Sequence, residues 1–169
     1  ERADAQVKRQ VALKLPHAGP GQDLPAARLL RERDILAALE HRNIARLYDV
    51  GVSDAGTPYL VMEYVPGTDL LSHADARRLT MPQRLVLFQQ VLRAVQYAHG
   101  KLVLHRDLKP SNILLRPKSE SAAKDEHYVP GSVPLTDLCD VFQPMVADFG
   151  LARLFDDATF VSDSDGPSP

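Results

Sequence analysis

Apolar residues alternate with a period of two through Val11, Leu13 and Leu15, with Ala12 and Lys14 between them. The pattern predicts a strand over Gln6–Leu15 that puts Ala12 and Lys14 on one face. After a Gly/Pro-rich link over Pro16–Pro25, Leu29, Glu32, Leu36 and Leu39 recur at helical spacing and predict a helix over Ala26–Glu40. Glu32 interrupts that apolar stripe. A carboxylate there is costly to bury unless a cation meets it, so Glu32 requires a partner. Two strands are predicted at Ile44–Val50 and Tyr59–Tyr64, joined by a turn with Asp54, Gly56 and Pro58 and closed by Pro66-Gly67. Pro82–His99 reads as a long helix with Leu85, Phe88, Leu92 and Val95 as its core face. Short strand-like apolar pieces follow at Leu102–Leu104, Ile113–Leu115 and Met145–Ala147. Strands first and helices later predict an α+β layout, a small sheet-bearing lobe and a mainly helical one.

Charge changes this picture at one place. Residues 1–115 carry 16 basic and 12 acidic side chains, whereas residues 116–169 carry 4 and 10, so a net +4 is followed by a net −6. The composition turns to Ser, Pro, Asp and Lys at the same point, and the acidic, Ser-rich tail from Asp156 is expected to be mobile. The whole chain, at −2 with no Trp and 6% aromatics, gives no reason to expect a nucleic-acid partner. Its single cysteine, Cys139, excludes an internal disulfide and a Cys-based zinc cage, fits a reducing compartment and reads as incidental. No apolar run approaches the ~18 residues of a membrane span, and no leader pattern opens the chain. Glu1 stands in mid-pattern, as expected of a segment of a longer protein.

Three strings carry the chemistry. His105-Arg106-Asp107-Leu108-Lys109-Pro110-Ser111-Asn112 places Asp107, Lys109 and Asn112 within six residues on a predicted loop. Asp148-Phe149-Gly150 follows an apolar run, and Val11-Ala12-Leu13-Lys14 lies on a predicted strand. The eight-residue string is the specific signal; the other two are weak alone. Together with Glu32, and in this order, they resemble the signature set of eukaryotic-type (Hanks-type) serine/threonine protein kinases, of a bacterial-like kind.

The resemblance implies a two-lobed protein-kinase-like fold that is truncated, with an N-terminal lobe over residues 1–65 and a C-terminal lobe over 66–169. It implies ATP and Mg²⁺ as cofactors and a protein substrate with Ser/Thr hydroxyls. Phosphoryl transfer needs positioning and charge neutralisation more than covalent chemistry, which suits these residue types. Asp107 is implied as the base, Lys109 as a contact of the γ-phosphate, Lys14 as the holder of the α- and β-phosphates and Glu32 as the partner of Lys14. Asn112 and Asp148 are implied as metal ligands, hard oxygen donors that suit Mg²⁺. Ala12, Met62, Glu63, Val65 and Leu114 are implied around the adenine, with Asp69 near the ribose. Arg106 resembles the residue that pairs with an activation-segment phosphate, which makes Thr159, Ser162 and Ser164 candidate phosphosites and implies an autophosphorylation partner. His105, His41 and His99 read as structural.

Three departures from the family stand out. No Gly-rich loop precedes Lys14, no Ala-Pro-Glu follows Asp148 in the segment 148–169, and 35 residues separate Asn112 from Asp148. Residues 116–143 therefore read as an insert in what is elsewhere a short hairpin, tolerable because loop closure costs little entropy. The rival reading is a pseudokinase-like scaffold without phosphotransfer, and a third is a kinase acting on a small molecule. The presence of Lys14, Glu32, Asp107, Asn112 and Asp148 speaks for the enzyme, located in the cytoplasm with its ATP unless an anchor lies outside this segment.

Overall fold

The computed structural model describes residues 9–15, 33–54, 56–119 and 135–149. Glu32, the start of the first predicted strand, the acidic tail and the candidate phosphosites lie outside the described residues. The elements run β1 (Val11–Lys14), a helical stretch at 33–37 (α1), β2 (Leu47–Val52), β3 (Pro58–Glu63), β4 (Thr68–Asp69), α2 (Leu70–Ala76) and α3 (Met81–Gly100). A 3₁₀ turn (Pro110–Asn112), β5 (Ile113–Pro117), α4 (Leu135–Val141) and β6 (Phe142–Val146) complete the order.

The strands form two antiparallel sheets, ordered β1-β3-β2 and β4-β5-β6. In the first, Ala12 stands opposite Met62 and Lys14 opposite Leu60. Strand parity turns Ala12 and Lys14 to the half-buried face and leaves Val11 and Leu13 exposed. The second predicted strand starts later than its apolar pattern suggests. Ile44 makes only a single parallel bridge, to Val146. That bridge joins the two sheets: Ala45 N–H donates to Val146 O at 2.9 Å, and Val146 N–H donates to Asn43 O at 2.8 Å.

Asp69 caps α2 by accepting from the backbone N–H of Leu71 and Ser72 at 3.1 and 2.9 Å. At the start of α3, the Gln83 side chain accepts from Thr80 N–H at 2.9 Å, beside Pro82 in the first turn. The buried face of α3 differs from expectation. Leu87, Val91, Ala94 and Ala98 are fully buried, while Leu85, Phe88 and Leu92 are 55%, 40% and 50% exposed and Val95 is half-buried. Both stripes have helical spacing. The buried one carries two alanines, which let the helix approach the sheets closely, and its polar members Gln83 and Gln90 hide it from a periodicity count.

One core cluster joins Leu36, Leu39, Val50 and Leu60 above to Val91, Ile113, Val146 and Phe149 below; a second gathers Ala74, Leu79, Leu87, Leu115, Leu138 and Phe142. The second cluster shows how the described ends of the segment 116–143, read as an insert in a hairpin, meet the rest of the chain. Arg116 and Pro117 pair with Gln143 and Phe142, so both ends of that segment extend the β5–β6 hairpin. Helix α4 buries Leu138 completely. Gln90 Nε2 donates to Cys139 Sγ at 2.9 Å, and Asn43 Nδ2 donates to Gln90 Oε1 at 3.2 Å and Pro144 O at 2.7 Å. Leu102–Leu104 forms no strand among the described residues; Leu102 is left-handed at φ 61° and 89% exposed, which breaks the extended path.

Candidate active site

The loop after α3 is held from below by His105. Its Nδ1 accepts from Asp107 N–H at 3.3 Å, which assigns the ring proton to Nε2, and Nε2 donates to Ala147 O at 2.8 Å. The ring meets Phe149 edge-on with centroids 4.7 Å apart. The first bond braces loop 105–112 internally and the second fastens it to Ala147 just past β6, and neither nitrogen is left for proton abstraction. Arg106 beside it is left-handed at φ 66°, a conformation costly for a non-glycine residue and held here by the bonds on either side.

Asp107 projects from this loop half-exposed, with Lys109 Nζ at 2.8 Å from its Oδ2. Asn112, buried on the 3₁₀ turn, donates Nδ2 to Asp107 O at 2.8 Å and to Asp107 Oδ2 at 3.2 Å. The Lys109 hydrogen bond first, and the Asn112 bond with it, hold the Asp107 carboxyl below its ordinary range. Asp107 is thus an ionised acceptor at neutral pH, kept in one orientation by two donors.

Asp148 follows β6 at φ 61°, and the residue before it donates its N–H to Asn112 O at 2.8 Å. Its Oδ2 lies 2.7 Å from Lys14 Nζ, across 134 positions of sequence. The two side chains are 38% and 25% exposed, so the pair is open to a ligand from solvent. Four of the residues expected to carry chemistry therefore surround one bonded assembly: Lys14 with Asp148, and Asp107 with Asn112, joined through residue 147. The described partner of Lys14 is Asp148; Glu32 is not among the described residues.

The residues expected around adenine and ribose divide between the sheets. Ala12 and Met62 face each other across β1 and β3, while Leu114 stands opposite Asp69 across β5 and β4. Glu63 ends β3 and Val65 is buried on the stretch that links the sheets. The Glu63 N–H is taken by Arg46 O at 2.8 Å, and its carboxylate receives the Arg116 guanidinium. Asp69 is occupied by its cap, and its hydrogen bonds with Ser72 above all lower its pKa.

The protein kinase domain family matches residues 2–167. This chain belongs to that family. Serine/threonine-protein kinase PknJ of Mycobacterium tuberculosis is 32% identical over 155 residues, 91% of this chain and 23% of PknJ. A Streptomyces coelicolor protein named a probable serine/threonine-protein kinase is 35% identical over 128 residues, 72% of this chain and 19% of that protein. Mouse Aurora kinase C is 39% identical over 98 residues, 57% of this chain and 35% of its own length. The chain thus spans about a fifth of the length of the two bacterial relatives.

The kinase-family donor set fits Mg²⁺. Because Asn112 spends its amide nitrogen on Asp107 twice, its carbonyl oxygen is the atom left for a ligand, and Asp148 adds a carboxylate. Both are hard oxygens, one on the 3₁₀ turn and one two residues past β6. The kinase motifs overlook two positioning groups. Gln90 with Asn43 holds β6, and its signal is a polar residue on the helical spacing of Leu87 and Val91. Arg116, at the end of a strand of apolar residues, pairs with Glu63 between the sheets, and no local pattern marks it.

Proposed function

We propose that this protein is a serine/threonine protein kinase that transfers the ATP γ-phosphoryl group to a protein Ser or Thr hydroxyl. The observation that carries the reading is the meeting of Lys14 with Asp148 beside the Asp107–Asn112–Lys109 cluster. Lys14 takes the α- and β-phosphates, and Glu32 steadies Lys14. Asn112 and Asp148 hold Mg²⁺, which neutralises charge on the phosphates when bound. Ala12, Met62, Glu63, Val65 and Leu114 receive the adenine, and Asp69 the ribose. Lys109 contacts the γ-phosphate. Asp107, ionised and aimed by two donors, orients the substrate hydroxyl and takes its proton as the oxygen–phosphorus bond forms and the bond to the β-phosphate oxygen breaks. Residues 1–65 and 66–169 act as the two lobes, the reaction belongs in the cytoplasm, and Thr159, Ser162 or Ser164 accept phosphate in autophosphorylation.

No helix among the described residues is long and apolar enough to cross a membrane. The test is Asp107→Asn in the full-length protein, assayed for peptide phosphorylation and for Mg²⁺-ATP binding. Turnover is expected to fall at least ~100-fold, the scale of lost acid–base assistance, with nucleotide affinity within about threefold of wild type. Retained turnover refutes the role.

A further inference from the structure

A polar cavity lies between described residues, apart from the Lys14–Asp148 and Asp107–Asn112 contacts. It encloses about 280 Å³ between the loop before β2, the end of β3 and the β5–β6 hairpin. Its walls include the guanidinium side chains Arg9, Arg42, Arg46 and Arg116 and a single carboxylate, Glu63. Lys14, Asp107, Lys109, Asn112 and Asp148 take no part in it; Glu63, whose backbone is the part expected at the adenine edge, borders the cavity and meets Arg116 through its carboxylate. Glu63 is already engaged by Arg116, and Arg9 lies over the Tyr48 ring, 4.4 Å from its centroid. No carboxylate among the described residues pairs with Arg42 or Arg46. His41, whose Nδ1 accepts from Asn43 N–H at 3.1 Å, adds a wall that burial, and then the charge of Arg42, keep neutral at neutral pH.

The lining thus carries a net +3 in a concave space, and like charges held together without an anion repel one another. Guanidinium groups present planar pairs of donors that match phosphate oxygens. The volume sits just under the range that takes drug-sized ligands, which favours a small occupant. Arg46 belongs to the approach to β2 and Arg116 to β5, so one ligand reaches both sheets.

The geometry points to this cavity as a second anion site, for a small multivalent ligand of the phosphate-ester class, distinct from the nucleotide site. The inference stands whether or not the protein transfers phosphate.

The test uses full-length protein treated with phosphatase, titrated with pyrophosphate without divalent metal at constant ionic strength, by calorimetry and thermal melting. Wild type and Lys14→Met are expected to bind with the same affinity and to gain several degrees in melting temperature. Arg42→Gln/Arg46→Gln is expected to bind at least tenfold more weakly while its unliganded melting temperature does not fall below wild type, because both residues are exposed and neither pairs with a carboxylate among the described residues. The single variants Arg42→Gln and Arg46→Gln should each give part of that loss. Binding that survives the double substitution, or that disappears in Lys14→Met, or a melting shift that sodium chloride reproduces at equal ionic strength, overturns the assignment. If pyrophosphate binds the phosphatase-treated protein but not the untreated one, the phosphate group comes from the protein's own modified side chain; equal binding to both makes it a free ligand. Either result supports the site.

Discussion

Leu138→Ala tests whether the segment between β5 and β6 is part of the domain. Leu138 has no exposed surface and packs with Leu79, Leu87, Leu115 and Phe142. The substitution removes the side chain beyond Cβ, a transfer loss of about 2.4 kcal/mol at about 0.8 kcal/mol for each buried carbon. A residual cavity adds to this, since α3 and β5 on either side are held by their own hydrogen bonds, and the total is about 3 kcal/mol. For a domain of this size each kcal/mol moves the midpoint by roughly 2–4 °C, so thermal melting of the full-length protein should show a drop of about 6–12 °C. Asp140→Ala, two residues along on the same helix with its side chain 84% exposed, should move it by less than about 2 °C. Because α4 leads into β6 and hence to Asp148, Mg²⁺-ATP should bind more weakly to Leu138→Ala than to Asp140→Ala. A Leu138→Ala midpoint within 1 °C or so of wild type, as a solvated insert would give, refutes the packing argument.

Gly67 sits at φ 149°, where an added Cβ would stand 2.0 Å from the carbonyl oxygen of Leu115. Gly67→Ala should therefore destabilise by about 2 kcal/mol or more in the same melting assay, and a neutral result would mean that β4 and β5 separate at little cost. His73 lies edge-on to Phe142, its Nε2 has no hydrogen-bond partner among the described residues, and burial, then the charge of Arg77, lowers its pKa to about 4. Between pH 4 and the ordinary value of 6.5 the unfolded chain binds a proton that the folded one refuses, so stability rises with pH across that window. The slope is at most about 1.4 kcal/mol per pH unit; His73→Leu should flatten it, and melting temperatures at pH 5 and 7.5 that keep the wild-type difference would contradict this. Lys14→Met removes a partly exposed pair worth less than about 1 kcal/mol, so the unliganded midpoint should barely change while Mg²⁺-ATP affinity falls at least tenfold. An unaltered nucleotide titration would remove Lys14 from the site.

Local chemistry was readable along the chain. The parity that turns Ala12 and Lys14 to one face depends only on the alternation of a strand, and the start of α3 depends on Thr80, Pro82 and Gln83 within one turn. The loop from His105 to Asn112 likewise closes mostly on itself, Asn112 on Asp107 and Asp107 on Lys109. Long-range contacts settled the rest. Two apolar stripes on α3 satisfy the same helical period, and only the surfaces that pack against the helix choose Leu87, Val91, Ala94 and Ala98 over Leu85, Phe88 and Leu92. Helix α4 gains its place from Leu79, Leu87 and Leu115, residues remote in sequence, so the polar composition around it gave no sign of a buried Leu138. The 2.7 Å contact between Lys14 and Asp148 needs β1 held against β3 and β6 held by Asn43 and Gln90. A residue's type and spacing constrain its own turn or strand, whereas which distant groups it meets is set by the packing free energy of the whole chain.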